Sequence, residues 1–216
     1  MSVTLHTYWR SSAAWRVRIA LALKGIAYDA APVHLLRAGG EQRTDAYRAL
    51  NPQGLVPALT DGDETVTQSL AIIEYLDETR PEPPLLPRSA AGRARVRALA
   101  SVVACDIHPL NNLRVLQHLA AAYGADEAAK GAWMRRWVGD GFAALETMLA
   151  RDPRTGLCCH GDAPTLADLC LVPQVFNARR FGIDLEPFPT IVRIDAHCSS
   201  LAAFQAAAPD RQPDAE

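Results

Sequence analysis

The stretch YWRSSAAWRVRIALALKG, residues 8–25, decides the fold. From Ala14 to Lys24 (AWRVRIALALK) the apolar residues recur at helical spacing, and Gly25 is a natural stop because glycine takes the left-handed conformation that closes a helix. Just before, Val3 to Tyr8 alternates in the manner of a half-buried strand. A strand that passes through a short polar turn into such a helix is the first step of an α/β unit.

The pattern continues outward. Tyr28 to His34 reads as a second strand and Thr44 to Leu50 as a short helix. Val56 to Leu59 is a short apolar run ahead of the turn Asp61-Gly62, Thr65 to Thr67 a brief strand, and Ser69 to Glu78 (SLAIIEYLDE) an amphipathic helix. The order β-α-β-α-β-β-α is that of a thioredoxin-like domain. Residues 81–88 (PEPPLLPR) hold four prolines, which no helix accommodates, so they read as a linker. Helical periodicity then dominates: Arg93 to Leu119 as one long pattern kinked near Pro109, Asp126 to Ala150, Leu166 to Phe181, Pro189 to Cys198 and Leu201 to Ala208, with a frayed tail expected after Pro209. The expected division is a thioredoxin-like domain over 1–81, a linker over 82–88 and an all-α domain over 89–216.

Bulk properties narrow the class. The chain has 216 residues, 49% of them hydrophobic and 21% charged, with a net charge of −2, which gives no electrostatic case for nucleic acid or an anionic membrane. There is no apolar run of membrane-spanning length and no secretory leader pattern, so a cytoplasmic protein is expected. The five cysteines (Cys105, Cys158, Cys159, Cys170, Cys198) form no CxxC pair and read as reduced structural thiols, with Cys105 and Cys170 buried in apolar stretches. The histidines lack metal-ligand spacing, and no metal site is expected; HExxH, GxSxG and P-loop motifs are absent.

Four segments carry candidate chemistry. Arg10-Ser11-Ser12 sits where a strand meets a helix start, a place of free N–H groups and partial positive charge that stabilises an anion or thiolate. Taken alone, a helix cap is the simpler role for Ser11 or Ser12. In Asn51-Pro52-Gln53-Gly54-Leu55-Val56-Pro57, a cis Val56-Pro57 bond would turn the Val56 backbone outward to pair with an extended peptide ligand; a trans proline in a turn is the plainer alternative. Gln68-Ser69 opens a helix and can cap it or hold a carboxylate. Thr165 and Asp168 form a threonine-x-x-acid capping box, a structural device with no catalytic role.

Together and in this order, these segments resemble the glutathione transferase superfamily over nearly the whole chain, and specifically its zeta class, whose members include maleylacetoacetate isomerase. The residues that carry the resemblance are Ser11-Ser12, Trp15 to Leu21, Asn51-Pro52, Val56-Pro57, Gln68 to Leu76, Ala167 to Gln174, Arg180-Phe181, Pro189 to Ile191 and Gln212-Pro213. The resemblance implies glutathione as cofactor and a homodimer. It also implies roles: Ser11, beside Ser12, supports the thiolate, Val56 pairs with the cysteinyl backbone, Gln68 and Ser69 hold the γ-glutamyl end, and Gln42 reaches the glycyl end. Asn112 lines the site from the helical domain, and His108 and Arg114 stand near it at positions where the family varies. Arg10 and Arg180 match cationic positions suited to a small unsaturated dicarboxylate. One departure is Ala13, where the zeta pattern has a cysteine; maleylpyruvate isomerases, close relatives, also lack it. The implied activity is the glutathione-dependent cis–trans isomerisation of maleylacetoacetate to fumarylacetoacetate in aromatic amino acid catabolism. Maleylpyruvate isomerisation and general conjugation of electrophiles are the alternatives, with a non-catalytic glutathione-binding module as a rival of another class.

Overall fold

A computed structural model describes residues 3–216. Residues 3–85 together with Ser200–Glu216 make one compact unit, and Leu86–Ser199 make a second.

The first unit is built on β1 (Val3–Thr7), α1 (Ser12–Leu23), β2 (Tyr28–Pro32), α2 (Asp45–Leu50), β3 (Ala58–Asp61), β4 (Glu64–Thr67) and α3 (Ser69–Thr79). This is the thioredoxin-like order expected from the spacing. The four strands lie in the order β2-β1-β3-β4. β1 runs parallel to β2, in register Thr7 to Pro32, and antiparallel to β3, in register His6 to Ala58; β3 pairs antiparallel with β4, Ala58 to Thr67. Alternate β1 residues Val3, Leu5 and Thr7 are buried, the period of a strand that presents one face to a core. α1 packs against α3. A separate cluster joins Tyr8, Val33, Tyr47 and Val56, with Trp9, Leu35 and Leu50 against it, and ties α2 to the end of β1. Among the described residues two X–Pro bonds are cis: Val56–Pro57, the less plain of the two readings of that segment, and Glu82–Pro83, which carried no sequence signal.

α1 buries two arginines, Arg16 and Arg18, with side chains almost wholly inside. Arg18 spends its guanidinium on oxygen acceptors: Thr7 Oγ1 at 3.0 Å, Tyr8 O at 3.3 Å, Trp9 O at 2.8 Å and Ala207 O at 3.1 Å. Burial lowers its pKa to about 10, with Tyr28 and Asp214 pulling the other way, so it stays a cation at neutral pH. These bonds explain a correction to the expected division. Residues 200–216 do not belong with the helical unit. Short α9 (Ala202–Ala206) packs on α1, and the tail returns to the first unit. Nor is the tail frayed: a 3-10 turn spans Pro209–Arg211, Gln212 Nε2 donates to Ala208 O at 2.9 Å, and Asp214 accepts from Trp9 N at 2.9 Å.

The second unit holds α4 (Ala90–Ser101), α5 (Leu113–Tyr123), α6 (Glu127–Ala150), α7 (Leu166–Arg180) and α8 (Pro189–Ser199). α7 is buried from Leu166 to Val175, as its largely apolar sequence predicts, while Phe176, Arg179 and Arg180 near its end are exposed. Asp168 at its start accepts from Thr165 N at 2.7 Å, Thr165 Oγ1 at 2.8 Å and Cys159 N at 2.7 Å, so the capping box also fixes the preceding loop. The long pattern 93–119 is not one helix with a kink. α4 gives way to a π-helical segment at Val102–Ile107 and a 3-10 turn at His108–Asn111 before α5 begins. Pro109 has no N–H to give, and its ring would crowd the carbonyl four residues back. The chain widens first, His108 N bonding Val103 O five residues back. Cys105 lies on this segment and is exposed, contrary to its expected burial, whereas Cys170 is buried. No helix among the described residues is long and apolar enough to cross a membrane.

Candidate active site

The sheet topology brings three of the candidate segments to one end. β1 ends at Thr7, and Tyr8–Ser11 follows. β3 runs the other way, so the residues before it, Val56–Pro57, lie at the end where β1 stops. β4 reverses again, and Gln68–Ser69 leaves it at that same end. The segment after β2, which leads to Gln42, starts there too, because β2 parallels β1.

Each position has a local cause. Tyr8–Ser11 is a turn closed by Ser11 N to Tyr8 O at 2.9 Å, with Trp9 and Arg10 at its corners. Ser11 caps α1, its Oγ accepting from Ala14 N at 3.2 Å. The cap and the thiolate-partner readings are therefore compatible: the oxygen accepts from the helix, and the hydroxyl proton remains to be donated. Ser12 follows at the first helical position and is buried. Arg10 is half-buried, its guanidinium 5.1 Å from the Trp9 ring centroid, and it makes no ion pair among the described residues.

Val56 is nearly buried in the Tyr8–Tyr47 cluster. The loop before it is set by Leu55 O, which accepts from Tyr47 Oη at 2.8 Å and Asn51 Nδ2 at 2.7 Å. Burial pushes the Tyr47 hydroxyl up to about 12, so it remains a donor at any physiological pH. Gln68 has φ +69°, a conformation that non-glycine residues reach only at a cost of order ~1 kcal/mol or more, and such residues gather at ligand sites. Its Nε2 donates to Gln53 Oε1 at 2.6 Å. Ser69 is the first residue of α3, buried, and its Oγ accepts from Arg16 Nη1 at 3.2 Å. A buried guanidinium thus stands behind a helix N-terminus, and both favour an anion there. No local motif assigns Arg16 a role; a cation inside the apolar stripe of α1 is the signal in the sequence that points to it. Gln42 is buried, with Nε2 donating to Leu35 O at 3.3 Å and Oε1 without a partner among the described residues. Gly40 makes room for it, since a methyl there would fall 2.6 Å from Gln42 Nε2.

The remaining candidates belong to the second unit. His108 opens the 3-10 turn and is half-buried. Asn112 caps α5, its Oδ1 accepting from Arg114 N at 3.2 Å, and Arg114 is exposed. Arg180 closes α7 and lies 4.9 Å from the Phe181 ring centroid. The π and 3-10 segments that carry His108 and Asn112 are braced by Trp133 Nε1 to Leu110 O at 2.8 Å and by Asn111 Nδ2 to Ile107 O at 2.9 Å. Cys158, Asp168 and Cys198 place ligand-type atoms within 4.8 Å of one another, but the fold already uses them. Both Asp168 oxygens accept backbone N–H groups. The hydrogen bond to Cys158, together with burial, pushes the Cys198 thiol far up.

A thioredoxin-like unit of this strand order, with helix-start and proline-turn segments at one sheet end, followed by an all-helical unit, is the architecture of the glutathione S-transferases. Residues 10–79 match the family model for the glutathione S-transferase N-terminal domain. Over 207 residues the chain is 55% identical to maleylacetoacetate isomerase of Rhizobium meliloti, covering 96% of each. It matches the holo structure of a maleylpyruvate isomerase, described as a bacterial zeta-class glutathione S-transferase, with a TM-score of 0.96 and 54% identity over 99% of this chain and 100% of that one. A maleylacetoacetate isomerase from Methylobacterium extorquens AM1, solved with malonate and glutathione bound, matches with a TM-score of 0.94 and 46% identity over 99% of each chain. The chain belongs to the zeta class of the glutathione transferases, the family of the maleylacetoacetate and maleylpyruvate isomerases.

Proposed function

We propose that this protein is a glutathione-dependent cis–trans isomerase acting on maleylacetoacetate. The observation that carries the proposal is the gathering of Ser11, Val56–Pro57 and Gln68–Ser69 at one end of a single sheet, each in a locally determined conformation. The residues fit glutathione. The α3 start backed by Arg16 suits the γ-glutamyl carboxylate at Ser69, with Gln68 beside it. Val56 offers backbone groups to an extended peptide. The unpartnered Gln42 Oε1 offers a buried acceptor for the glycyl peptide N–H.

When bound, glutathione supplies a thiolate nucleophile whose reversible addition to a cis alkene conjugated with a carbonyl permits rotation to the trans isomer. Ser11 would donate a hydrogen bond from its hydroxyl to the thiolate sulfur, and the α1 N-terminus, with Ser12 at its first position, would add partial positive charge. Together they hold the thiol ionised near neutral pH. Arg10 offers a guanidinium to a substrate carboxylate or enolate oxygen. For Arg180 as a second such cation, and for His108, Asn112 and Arg114 as further binding positions, the support is the family resemblance. Malonate in the Methylobacterium relative is a small dicarboxylate, which supports this substrate class.

Ala13, where the zeta pattern has cysteine, favours maleylpyruvate as a second reading, and the 0.96 TM-score to a maleylpyruvate isomerase points the same way. Purified protein with glutathione, offered maleylacetoacetate and maleylpyruvate side by side, tests both. Isomerisation that requires glutathione is expected. Glutathione binding with no turnover of either acid overturns the enzyme reading, and conjugation of a neutral electrophile alone makes the protein a general transferase. The family resemblance also implies a homodimer, which light scattering of the purified protein checks.

A further inference from the structure

We infer that Asp214, acting with Arg18, is a positioning residue for the reaction: it fixes the turn that presents Arg10 and Ser11. The inference rests on the reading of that turn as part of the glutathione-dependent site.

The turn Tyr8–Ser11 has two corner residues, Trp9 and Arg10. A corner of this kind leaves its backbone groups without partners in the strand or helix on either side, and here partners come from elsewhere in the chain. Trp9 N–H donates to Asp214 Oδ2 at 2.9 Å, across 205 residues of sequence. Trp9 C=O accepts from Arg18 Nη2 at 2.8 Å. Arg18 also donates to Tyr8 O, the carbonyl that closes the turn onto Ser11 N. The corner is therefore held on both sides of one residue by a half-buried carboxylate and a buried cation. Their charges act on each other, for Asp214 is among the groups that keep Arg18 protonated.

Trp9 cannot be held from its own polar end. Its indole Nε1 is buried and has no hydrogen-bond partner among the described residues. What orients the ring is its packing against the Tyr8–Val56 cluster and the backbone clamp. The ring in turn carries the Arg10 guanidinium, 5.1 Å from its centroid. Asp214 thus reaches Arg10 through one residue. The tail is itself anchored on either side of Asp214, so the carboxylate does not hang on a loose end. Gln212 Nε2 bonds Ala208 O, and Glu216 Oε1 lies 3.1 Å from Arg37 Nη2 and 3.2 Å from His34 Nε2.

Removing the carboxylate frees the Trp9 corner, and Arg10 moves with it. Ser11 is better protected, because the start of α1 also holds it. The effect should therefore fall on the carboxylate substrate more than on glutathione. In Asp214→Ala, KM for the isomerised acid should rise about tenfold, the scale expected when one orienting hydrogen bond is lost, while KM for glutathione stays within about twofold. Asp214→Asn keeps an acceptor oxygen and should recover most of the difference. A lower Tm with both KM values unchanged, or equal rises in both, would make the contact structural only and overturn the inference. Should Asp214→Ala not fold, Asp214→Glu, which displaces the carboxylate by one methylene, takes its place with the same KM split expected. Amide hydrogen exchange gives an activity-free measurement. The Trp9 N–H should exchange at least about tenfold faster in the variant, with core amides of β1 unchanged. Wild-type protein that turns over neither acid refutes the functional reading, while the exchange result still decides whether Asp214 holds the turn.

Discussion

Ser11 has one oxygen and one proton to use. As the α1 cap it accepts from Ala14 N, and as proposed thiolate partner it donates. Ser11→Ala removes both. The lost cap should cost about 1 kcal/mol of stability. The lost donor should lower kcat/KM by on the order of a hundredfold and raise the pKa of bound glutathione, read by titrating thiolate absorbance. Ser11→Thr keeps the hydroxyl and should stay near wild type in both measurements; an unchanged titration in Ser11→Ala would remove Ser11 from the thiolate site. At this scale, what the sequence made legible was a set of candidate site residues, not their support. Ser11, Val56, Gln68 and Ser69 lie in short motifs that can be read locally. Arg16 behind Ser69 and Asp214 behind Trp9 are separated from their partners by 53 and 205 positions, and no local pattern joins them.

Among the elements, those whose ends are marked by local chemistry were readable. Gly25 follows α1 with φ +62°, Asp126 caps α6 through Ala129 N, and Thr165 and Asp168 open α7 as their spacing predicts. The stretch between α4 and α5 was not readable, because a single π turn adds only about one residue to the turn, too small a change for an apolar pattern to register. Only Pro109 betrays it, seven residues after the widening begins at Val102. Its packing partner is equally hidden. Gly141 in α6 leaves room for Ile107, whose side chain would overlap a methyl group placed there. Gly141→Ala should therefore cost about 1–3 kcal/mol by overpacking, despite the better helix propensity of alanine. Combined with Ile107→Ala, which empties the same space, the total loss should be smaller than the sum of the two single losses, a non-additive pair in denaturant titrations. Full additivity would mean that the two positions do not meet.

For the molecule as a whole, the division between units falls at Leu85, inside the proline-rich residues 81–88. The reassignment of residues 200–216 could not be seen, since their helical spacing is the same whichever unit they join. The connector is held by a buried cation: Lys24 Nζ, fully inside, donates to Asp77 Oδ1 at 2.8 Å, Arg80 O at 2.8 Å and Pro83 O at 2.9 Å. Lys24→Met fills the space but leaves Asp77 without its counter-charge. A loss of about 3 kcal/mol is expected, roughly 6–12 °C in Tm for a chain of this size. A shift below about 2 °C would show that the ion pair contributes little.

The return of the tail also sets an order of events during synthesis. A ribosome makes Trp9 early and Asp214 only after the entire second unit has been translated. Until then the Tyr8–Ser11 turn lacks the carboxylate that holds its corner. A nascent chain stalled within α8 therefore carries a nearly complete thioredoxin-like unit whose turn is still unlatched, and the latch closes only once Asp214 has left the exit tunnel.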